Sequence, residues 1–378
     1  MTTGAEQDRA ALNALQRLHA EHGQSPWIDF IDRDLIESGK LADLVDAGIR
    51  GLTSNPTIFA KAVASGQYDQ LVERELDEGA GNDHIYEEIA VSDVRDAADL
   101  LRRVYNASDG ADGFVSIEVE PALAHDTQAT LERARHLFGR VGRPNVFVKI
   151  PATEAGIPAI EQAIAEGINV NVTLMFSVDV YRRVARAYIA GMRRRLEAGE
   201  DVTRVASVAS FFVSRVDTNA DPKLEKIGTP EALALRGKAA IANAKMAYVA
   251  YREIFEGAEF ADLRAAGARV QRCLWASTST KNPDYRDVLY VEELIGPDTV
   301  DTMPLETIQA FLDHGRLERT LDRGVEDARD DLRRLEAVGI SLEQVTDELI
   351  VEGVKKFADS FDELIASIDA QRKALTPA

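Results

Sequence analysis

The sequence predicts an α/β protein and, within that class, a (β/α)8 barrel of parallel strands. Short apolar runs alternate with helical patterns along most of the chain, and there are eight such runs, one for each barrel strand. The length of 378 residues and the hydrophobic content of 45% suit one large barrel with insertions. An open doubly wound sheet should carry a glycine-rich turn after its first strand. The segment DFIDRDLIESG at 29–39 has no such turn, so the barrel is favoured.

The eight runs are rich in β-branched and aromatic residues and end at turn or polar residues, as buried strands do. In chain order they are WIDFI (27–31), GLTSN (51–55), FVSIEVE (114–120), VFVKI (146–150), INVNVTLMF (168–176), VASVASFFV (205–213), VQRCLWAS (270–277) and TVDTM (299–303). Helical patterns lie between them, for example SVDVYRRVARAYIAGMRRRLEAG at 177–199, where Ser177 suits an N-cap and Gly199 a helix end.

We interpret residues 1–378 as a single domain with three helical additions. The first is an N-terminal extension, 1–24, with a helix from about residue 9 to 22, and the second fills the long interval between runs two and three. The third is a C-terminal helix within 341–378, whose apolar period of about 3.6 residues includes Val345, Leu349, Phe357, Phe361, Ile365 and Ile368. This period favours packing on the barrel wall, and a lid over the site is the alternative.

Composition restricts the possible partners and the compartment. A net charge of −20 makes binding to nucleic acid or to an anionic membrane unexpected, because both need a basic face. Cys273 is the single cysteine, the N-terminal segment lacks the apolar core of a signal peptide, and no apolar stretch approaches the ~18 residues of a membrane span. We therefore expect a cytoplasmic protein, a monomer or a homodimer, without cofactor or metal.

Polar residues stand late in most of the apolar runs, where the carboxyl ends of barrel strands carry functional groups. They are Asp29, Thr53, Ser54, Asn55, Glu118, Glu120, Lys149, Asn169, Asn171, Thr173, Ser210 and Ser277, with Arg215 and Lys281 shortly beyond runs six and seven. Taken singly, each has an ordinary interpretation, such as a structural ion pair for the lysine or a turn for Asn-Pro. Together they predict one polar site at the same end of the barrel.

Strand alternation assigns these residues to the inner face. Lys149 shares a face with Phe147, and Asn171 shares one with Thr173, whereas the intervening valines face the helices. Burial favours the free amine of a lysine over its ammonium form, and a free amine attacks a carbonyl to give a Schiff base. Asp29 and Glu118 could then exchange protons with the substrate. No HxH, HExxH or GxSxG motif offers a metal site or a serine nucleophile instead.

Five segments resemble transaldolases, class I Schiff-base enzymes of the pentose phosphate pathway. They are GLTSNPTIF (51–59), VSIEVEPALAHDT (115–127), VFVKIPATEAG (146–156), GINVNVTLMFS (167–177) and SFFVSRVD (210–217). The resemblance implies a TIM barrel and transfer of a dihydroxyacetone unit between sugar phosphates. Fructose 6-phosphate or sedoheptulose 7-phosphate would be the donor, and erythrose 4-phosphate or glyceraldehyde 3-phosphate the acceptor.

The resemblance also implies a role for each matching residue. Lys149 matches the Schiff-base lysine and Asp29 the acid/base for the C4 hydroxyl of the donor, while Glu118 and Thr173 match the pair that holds the catalytic water. The positions that match ligands of the dihydroxyacetone hydroxyls, with one aromatic wall residue, are Asn55, Asn171, Ser210 and Phe212. The positions that match phosphate ligands are Arg215 and, two residues beyond the family's basic position, Lys281.

Two other functions remain open on the sequence. One is an aldolase on the same scaffold, such as a fructose 6-phosphate aldolase, which would cleave or join sugars without transfer. The other is a non-catalytic sugar-phosphate binding protein. An acceptor aldose phosphate distinguishes the first from a transaldolase, because only the transaldolase should pass its three-carbon unit on far faster than it releases it.

Overall fold

The computed structural model describes residues 12–54 and 56–375 and contains one parallel sheet in the strand order β1-β7-β6-β5-β4-β3-β2. The strands are β1 (Gln24–Ile28), β2 (Val115–Glu118), β3 (Val146–Pro151), β4 (Val170–Met175), β5 (Ser207–Phe212), β6 (Arg272–Ala276) and β7 (Thr299–Met303). Parallel neighbours need crossover connections, and helices lie in every connection between consecutive strands. The predicted α/β class is therefore confirmed.

Helices precede, connect and follow the strands. They are α1 (Ala14–His22), α2 (Arg33–Glu37), α3 (Lys40–Asp46), α4 (Pro56–Ala64), α5 (Asp69–Asp77), α6 (Asn82–Ala107), α7 (Thr127–Val141), α8 (Gly156–Ala165), α9 (Val178–Glu197), α10 (Ser214–Ile227), α11 (Pro230–Leu233), α12 (Ala239–Phe255), α13 (Ala261–Ala265), α14 (Leu289–Glu293), α15 (Leu305–His314), α16 (Val325–Ala337) and α17 (Leu342–Leu375). Two short 3-10 turns lie at Pro121–Leu123 and Ala258–Phe260.

Local sequence explains where α1 begins and ends. The Asn13 side chain accepts a hydrogen bond from the Gln16 backbone N–H at 3.0 Å, and the Gln16 side chain accepts one from the Asn13 N–H at 3.1 Å. This reciprocal pair is a capping box. Gly23, at φ +69°, adopts the left-handed conformation that ends the helix. The helix expected from about residue 9 to 22 ends as predicted, and residues 1–11 lie outside the described part of the chain.

The second predicted strand is much shorter in the structure than in the sequence prediction. Residues 50–53 run between β1 and β2, but only Leu52 forms bridges, one to Ile28 and one to Val115. On the β1 side the backbone hydrogen bonds of this segment are Arg50 N to Pro26 O (2.9 Å), Ile28 N to Gly51 O (3.0 Å) and Thr53 N to Ile28 O (2.9 Å). On the β2 side they are Gly113 N to Arg50 O (2.8 Å), Leu52 N to Phe114 O (2.9 Å) and Ser116 N to Leu52 O (3.1 Å). Helix α4 begins at Pro56, which leaves little room for further pairing.

The first strand begins three residues earlier than predicted, at Gln24, and ends at Ile28. The start was not predicted because residues 24–26 are polar residues and a proline, which are not typical of a strand. All five strand residues are nevertheless buried. Asp29 therefore lies just beyond the strand rather than inside it.

Aromatic side chains fill the inside of the curved sheet. The Phe147 ring on β3 stacks on Phe114, with ring centroids 4.2 Å apart, and on Trp27 of β1 at 6.1 Å. Because β1 and β3 are not neighbours in the sheet, this contact crosses its concave side. Phe147 therefore faces inward, and Lys149, two residues later, shares its face.

Strand β4 loses its regular register near its carboxyl end. Its pairing with β5 shifts between Val172 and Met175, and Leu174 adopts a left-handed conformation at φ +55°. Such bulges re-aim side chains at the ends of strands, and this one follows directly after Thr173.

The C-terminal helix α17 extends over the carboxyl end of the sheet. It packs against α4 and α10 and contacts β4. Lys356, Phe357 and Ser360 of this helix line a cavity of about 840 Å³. The sequence favoured a position on the barrel wall, and the structure instead gives the helix the covering position that was the alternative.

Candidate active site

Lys149 lies near the carboxyl end of β3, and its residue is only 6% exposed. In the strand register Lys149 is paired with Glu118 of β2 on one side and with Asn171 of β4 on the other. The three side chains therefore emerge in one row across neighbouring strands, above the aromatic layer of Phe147. A buried lysine in this position needs polar partners, and Glu118 of the same row is one of them.

The amine of Lys149 has two hydrogen-bond partners. Its Nζ donates to the backbone carbonyl of Ser54 at 3.0 Å and to Oε2 of Glu118 at 3.3 Å. The face of the Phe357 ring covers it, with the ring centroid 5.6 Å from Nζ. Burial raises the pKa of Glu118 to about 7, although the adjacent lysine opposes that shift. Glu118 can therefore both give and take a proton near neutral pH.

Asp29 lies on another side of the same cavity. Its backbone N–H donates to the Met303 carbonyl at 2.9 Å, and its Oδ1 accepts a hydrogen bond from the Thr53 hydroxyl at 2.7 Å. Burial raises the pKa of Asp29, and the positive charge of Lys149 and the Thr53 hydrogen bond partly oppose this effect. A carboxylate held in this way is a stronger base than one in water.

Asn171 is fully buried and connects three strands through its amide group. Its Nδ2 donates to the Ser116 hydroxyl at 3.1 Å, and its Oδ1 accepts from the Ser210 hydroxyl at 2.6 Å. The Thr173 hydroxyl, next to the β4 bulge, is buried without a hydrogen-bond partner within the described residues. Thr173 and Ser210 both line the cavity, so these two buried residues border the space in which a ligand would bind.

Two cations lie on the β5 and β6 side. The guanidinium of Arg215, in the first turn of α10, stacks on Phe212 with 5.0 Å between its carbon and the ring centroid. Burial lowers the pKa of Arg215, and the negative charge of Asp29 opposes the effect. Lys281 is exposed, and its Nζ donates to the Ser279 hydroxyl at 2.5 Å. Within the described chain neither cation has an ion-pair partner, so both are available to an anion.

A cavity of about 840 Å³ brings most of the predicted site residues together. The predicted residues in its lining are Asp29, Lys149, Thr173, Ser210, Phe212, Arg215 and Lys281. Of the residues to which the resemblance gave a role, two described ones are not in the lining: Asn171 is fully buried, and Glu118 lines a separate small cavity behind Phe357. Three other polar residues predicted for this site, Ser54, Glu120 and Asn169, also lie outside the lining. Asn55, which the sequence also predicted, lies outside the described residues.

Several residues of the lining were not predicted from the sequence, among them Lys61 of α4, Thr302 of β7 and the α17 group Lys356, Phe357 and Ser360. Lys61 could have been found from the sequence, because it lies in the helix that begins at the proline of the Asn-Pro motif. Phe357 was recognised only as one member of an apolar helical period. No local pattern indicates that a helix about 200 residues after Lys149 covers it.

Two negative results hold for residues 12–54 and 56–375. No cluster of three or more histidine, cysteine, aspartate or glutamate side chains there could hold a metal ion. No helix in the same ranges is both long and apolar enough to span a bilayer.

Fold and site together define a class of α/β proteins whose functional groups lie at the carboxyl ends of parallel strands around a buried lysine–carboxylate pair. The family model of transaldolase/fructose-6-phosphate aldolase matches residues 26–368, and the chain belongs to this family. It is 48% identical over 380 residues to "Transaldolase 2" of a Nostoc species, covering 97% of this chain and all of that protein. It is 52% identical to "Transaldolase" of Mycolicibacterium paratuberculosis, over 92% of this chain and 95% of that protein. "Transaldolase 1" of Streptomyces coelicolor is 50% identical, with 95% of each chain covered.

Proposed function

We propose that this protein is a transaldolase, a transferase that moves a dihydroxyacetone unit from a ketose phosphate to an aldose phosphate. The observation that carries the proposal is the buried Lys149 amine, which lies 3.3 Å from Glu118 in a cavity also lined by the cations Arg215 and Lys281. Transaldolases of about 50% identity over more than nine-tenths of the chain support it. Fructose 6-phosphate or sedoheptulose 7-phosphate would be the donor.

The first step is formation of a Schiff base. The Lys149 amine adds to the C2 carbonyl of the donor, and the resulting carbinolamine loses its hydroxyl as water. Glu118 is the nearest carboxyl to Nζ and has a pKa of about 7, so it can protonate the departing hydroxyl, either directly or through a water. The Thr173 hydroxyl, which has no hydrogen-bond partner among the described residues, can hold that water.

Cleavage of the C3–C4 bond is the second step. The iminium withdraws the bonding electrons onto C3 as an enamine, while Asp29 accepts the proton of the C4 hydroxyl, which becomes the aldehyde carbonyl. The Thr53 hydrogen bond at 2.7 Å fixes the carboxylate for this transfer. The aldose phosphate departs, an acceptor aldehyde takes its place, and the steps run in reverse.

The remaining polar residues would hold the sugar. Asn171, Ser210 and Asn55 suit the hydroxyls of the three-carbon unit, and Phe212 its carbon skeleton. Ser210 lines the cavity and is oriented by Asn171, which supports a binding role for this pair. Sugar phosphates are thus the small-molecule partners that we propose, and the buried free thiol of Cys273 suits the cytoplasm as the compartment.

We also infer that the seven-stranded sheet closes into an eight-stranded TIM barrel. Residues 50–53 occupy the gap between β1 and β2, which are the two ends of the strand order. Hydrogen bonds from this segment to both edges support the closure.

Arg215 and Lys281 would bind the phosphate of both donor and acceptor. Replacing Arg215 by glutamine is expected to raise the KM for a phosphorylated donor by about 10–100-fold, since a hydrogen bond between charged groups contributes ~1.5–3 kcal/mol. Lys281→Gln should have a smaller effect, because its amine is exposed. Steady-state kinetics with fructose 6-phosphate and with unphosphorylated fructose measure this.

Lys226→Gln is the matched control, because Lys226 is an exposed cation on the same helix as Arg215 and does not line the cavity. An equal loss with both donors in the Arg215 variant would show that this residue does not act on the phosphate.

Chemical trapping tests the proposed function directly. With fructose 6-phosphate and borohydride, the protein should gain one three-carbon adduct, located on Lys149 by peptide mass spectrometry. With erythrose 4-phosphate present, transfer should be much faster than release of free dihydroxyacetone. An adduct on another lysine, or none in active protein, would refute the mechanism. Release faster than transfer would indicate the aldolase alternative, and sugar-phosphate binding without any turnover would indicate the non-catalytic one.

A further inference from the structure

Two contacts on either side of Phe357 hold helix α17 in place, one with strand β4 and one with helix α6. At the first, a Cβ added to Gly353 would lie 3.1 Å from Cδ2 of Leu174, so glycine allows the helix to approach the β4 bulge closely. At the second, the ring of Phe361 meets that of Tyr86 edge to face at 5.2 Å. Phe357 lies between these two points along the helix, and its position over Lys149 is therefore fixed from both sides.

Phe357 forms a wall between two cavities. It lines the cavity of about 840 Å³ that contains Lys149, Asp29 and Arg215. It also lines a cavity of about 10 Å³ whose other walls include Glu118, Leu174 and Val354. No other residue belongs to both linings in the described part of the chain. The smaller cavity has room for about one water molecule, next to the carboxyl that would exchange protons with the Schiff base.

We propose that Phe357 is a specificity-determining residue that keeps bulk water from Glu118 and the one-water cavity beside it, so that the bound three-carbon unit is transferred rather than released as the iminium is hydrolysed. The inference rests on the transaldolase function proposed above. Each imine that forms or breaks exchanges a single water, and the small cavity beside Glu118 can serve that exchange. The apolar ring of Phe357 separates this small cavity from the larger, open cavity in which the acceptor must bind.

The reaction that Phe357 suppresses balances without any further reactant. The enamine takes back, on its nucleophilic carbon, the proton that Asp29 accepted during cleavage, and becomes an iminium. Water then adds to the iminium carbon and the C–N bond breaks. The oxygen of the water becomes the carbonyl oxygen of dihydroxyacetone, and its two hydrogens end on the lysine nitrogen. Because this route needs water and transfer needs an aldehyde, access to water sets the ratio of the two.

The ring also suits the charge of the intermediate. An aromatic face attracts a cation at this distance, 5.6 Å from the Lys149 nitrogen, and the iminium is a cation. An aliphatic side chain of similar bulk would still exclude water but would lack this attraction. The two contributions can therefore be separated by substitution.

The test compares three variants of the full-length protein: Phe357→Ala, Phe357→Leu and, as the matched control, Val351→Ala. Val351 is on the same helix, is 71% exposed and lines neither cavity. Two rates are measured with fructose 6-phosphate: release of dihydroxyacetone without acceptor, and transfer to erythrose 4-phosphate. Circular dichroism establishes that each variant is folded.

We expect the ratio of release to transfer to rise about tenfold or more in Phe357→Ala, to change less than about threefold in Phe357→Leu and to stay constant in Val351→Ala. A parallel fall of both rates in Phe357→Ala, with the ratio unchanged, would overturn the proposal, because it would show a structural role only. If the alanine variant does not fold, the leucine variant provides the test. A tenfold rise of its ratio of release to transfer would then contradict the proposal. Absence of transfer in the unsubstituted protein would instead refute the proposed function.

Discussion

Lys149→Arg is expected to lose transfer activity by at least about 10⁴-fold, the scale of loss when a covalent nucleophile is removed. Arginine keeps the positive charge beside Glu118 but cannot form a neutral amine at accessible pH, so no Schiff base can form. Borohydride with fructose 6-phosphate should therefore give no adduct at any pH. Coupled assays of transfer and intact-protein mass spectrometry measure the two results.

A matched control is available in Lys245 of α12, which is buried almost as well, at 8% against 6% exposure. Its Nζ donates to the Arg323 carbonyl at 3.0 Å, and it does not line the cavity. Lys245→Arg should keep the adduct and the transfer rate per folded molecule. Adduct formation in Lys149→Arg would disprove the assignment of the nucleophile.

Asp29→Asn is expected to lower transfer by about 10²–10⁴-fold while leaving Schiff-base formation possible. The asparagine can keep the hydrogen bond from Thr53 but cannot accept the proton of the C4 hydroxyl. The C3–C4 bond should therefore remain intact, and borohydride should trap an adduct with the mass of the whole six-carbon sugar phosphate on Lys149. In the unsubstituted protein the trapped adduct should contain three carbons.

The pH dependence of cleavage follows from the same residue. Asp29 must be ionised to act as the base, and burial raises its pKa above the ordinary aspartate value. As the pH is lowered, activity should therefore begin to fall at a higher pH than it would with an ordinary aspartate as the base. This acidic fall should be absent from the pH profile of the residual activity of Asp29→Asn. Asp34→Asn serves as control, since Asp34 is an exposed carboxylate paired with Lys40. A three-carbon adduct in Asp29→Asn would assign the base elsewhere.

Local sequence predicted the central part of the site because its residues obey the alternation of a strand. Lys149 stands in an otherwise apolar run, and Asn171 and Thr173 alternate with valines. Alternation shows which face a side chain occupies, and parallel pairing brings equivalent ends together. These two rules predict that Glu118, Lys149 and Asn171 lie in one row. The strand register of the structure pairs Lys149 with each of the other two.

Features that depend on contacts between distant segments were predicted less well. The second strand is reduced to a bridge at Leu52, because its pairing ends where the chain turns into α4. The bulge at Leu174 also has no signal in the sequence, which reads as regular alternation through that point. Backbone hydrogen bonding to particular neighbours decides both, and a single strand does not specify its neighbours.

The sequence by itself determined the α/β class, the family and the identity of the buried lysine with its acidic neighbours. These depend on periodicity and on short motifs, which are properties of contiguous residues. Only the tertiary structure decided that α17 covers the site, that Phe357 separates Glu118 from the main cavity and that Lys61 and Lys356 join its lining. An apolar helical period shows that a face must be buried but not against what, since the burial of apolar surface is non-directional.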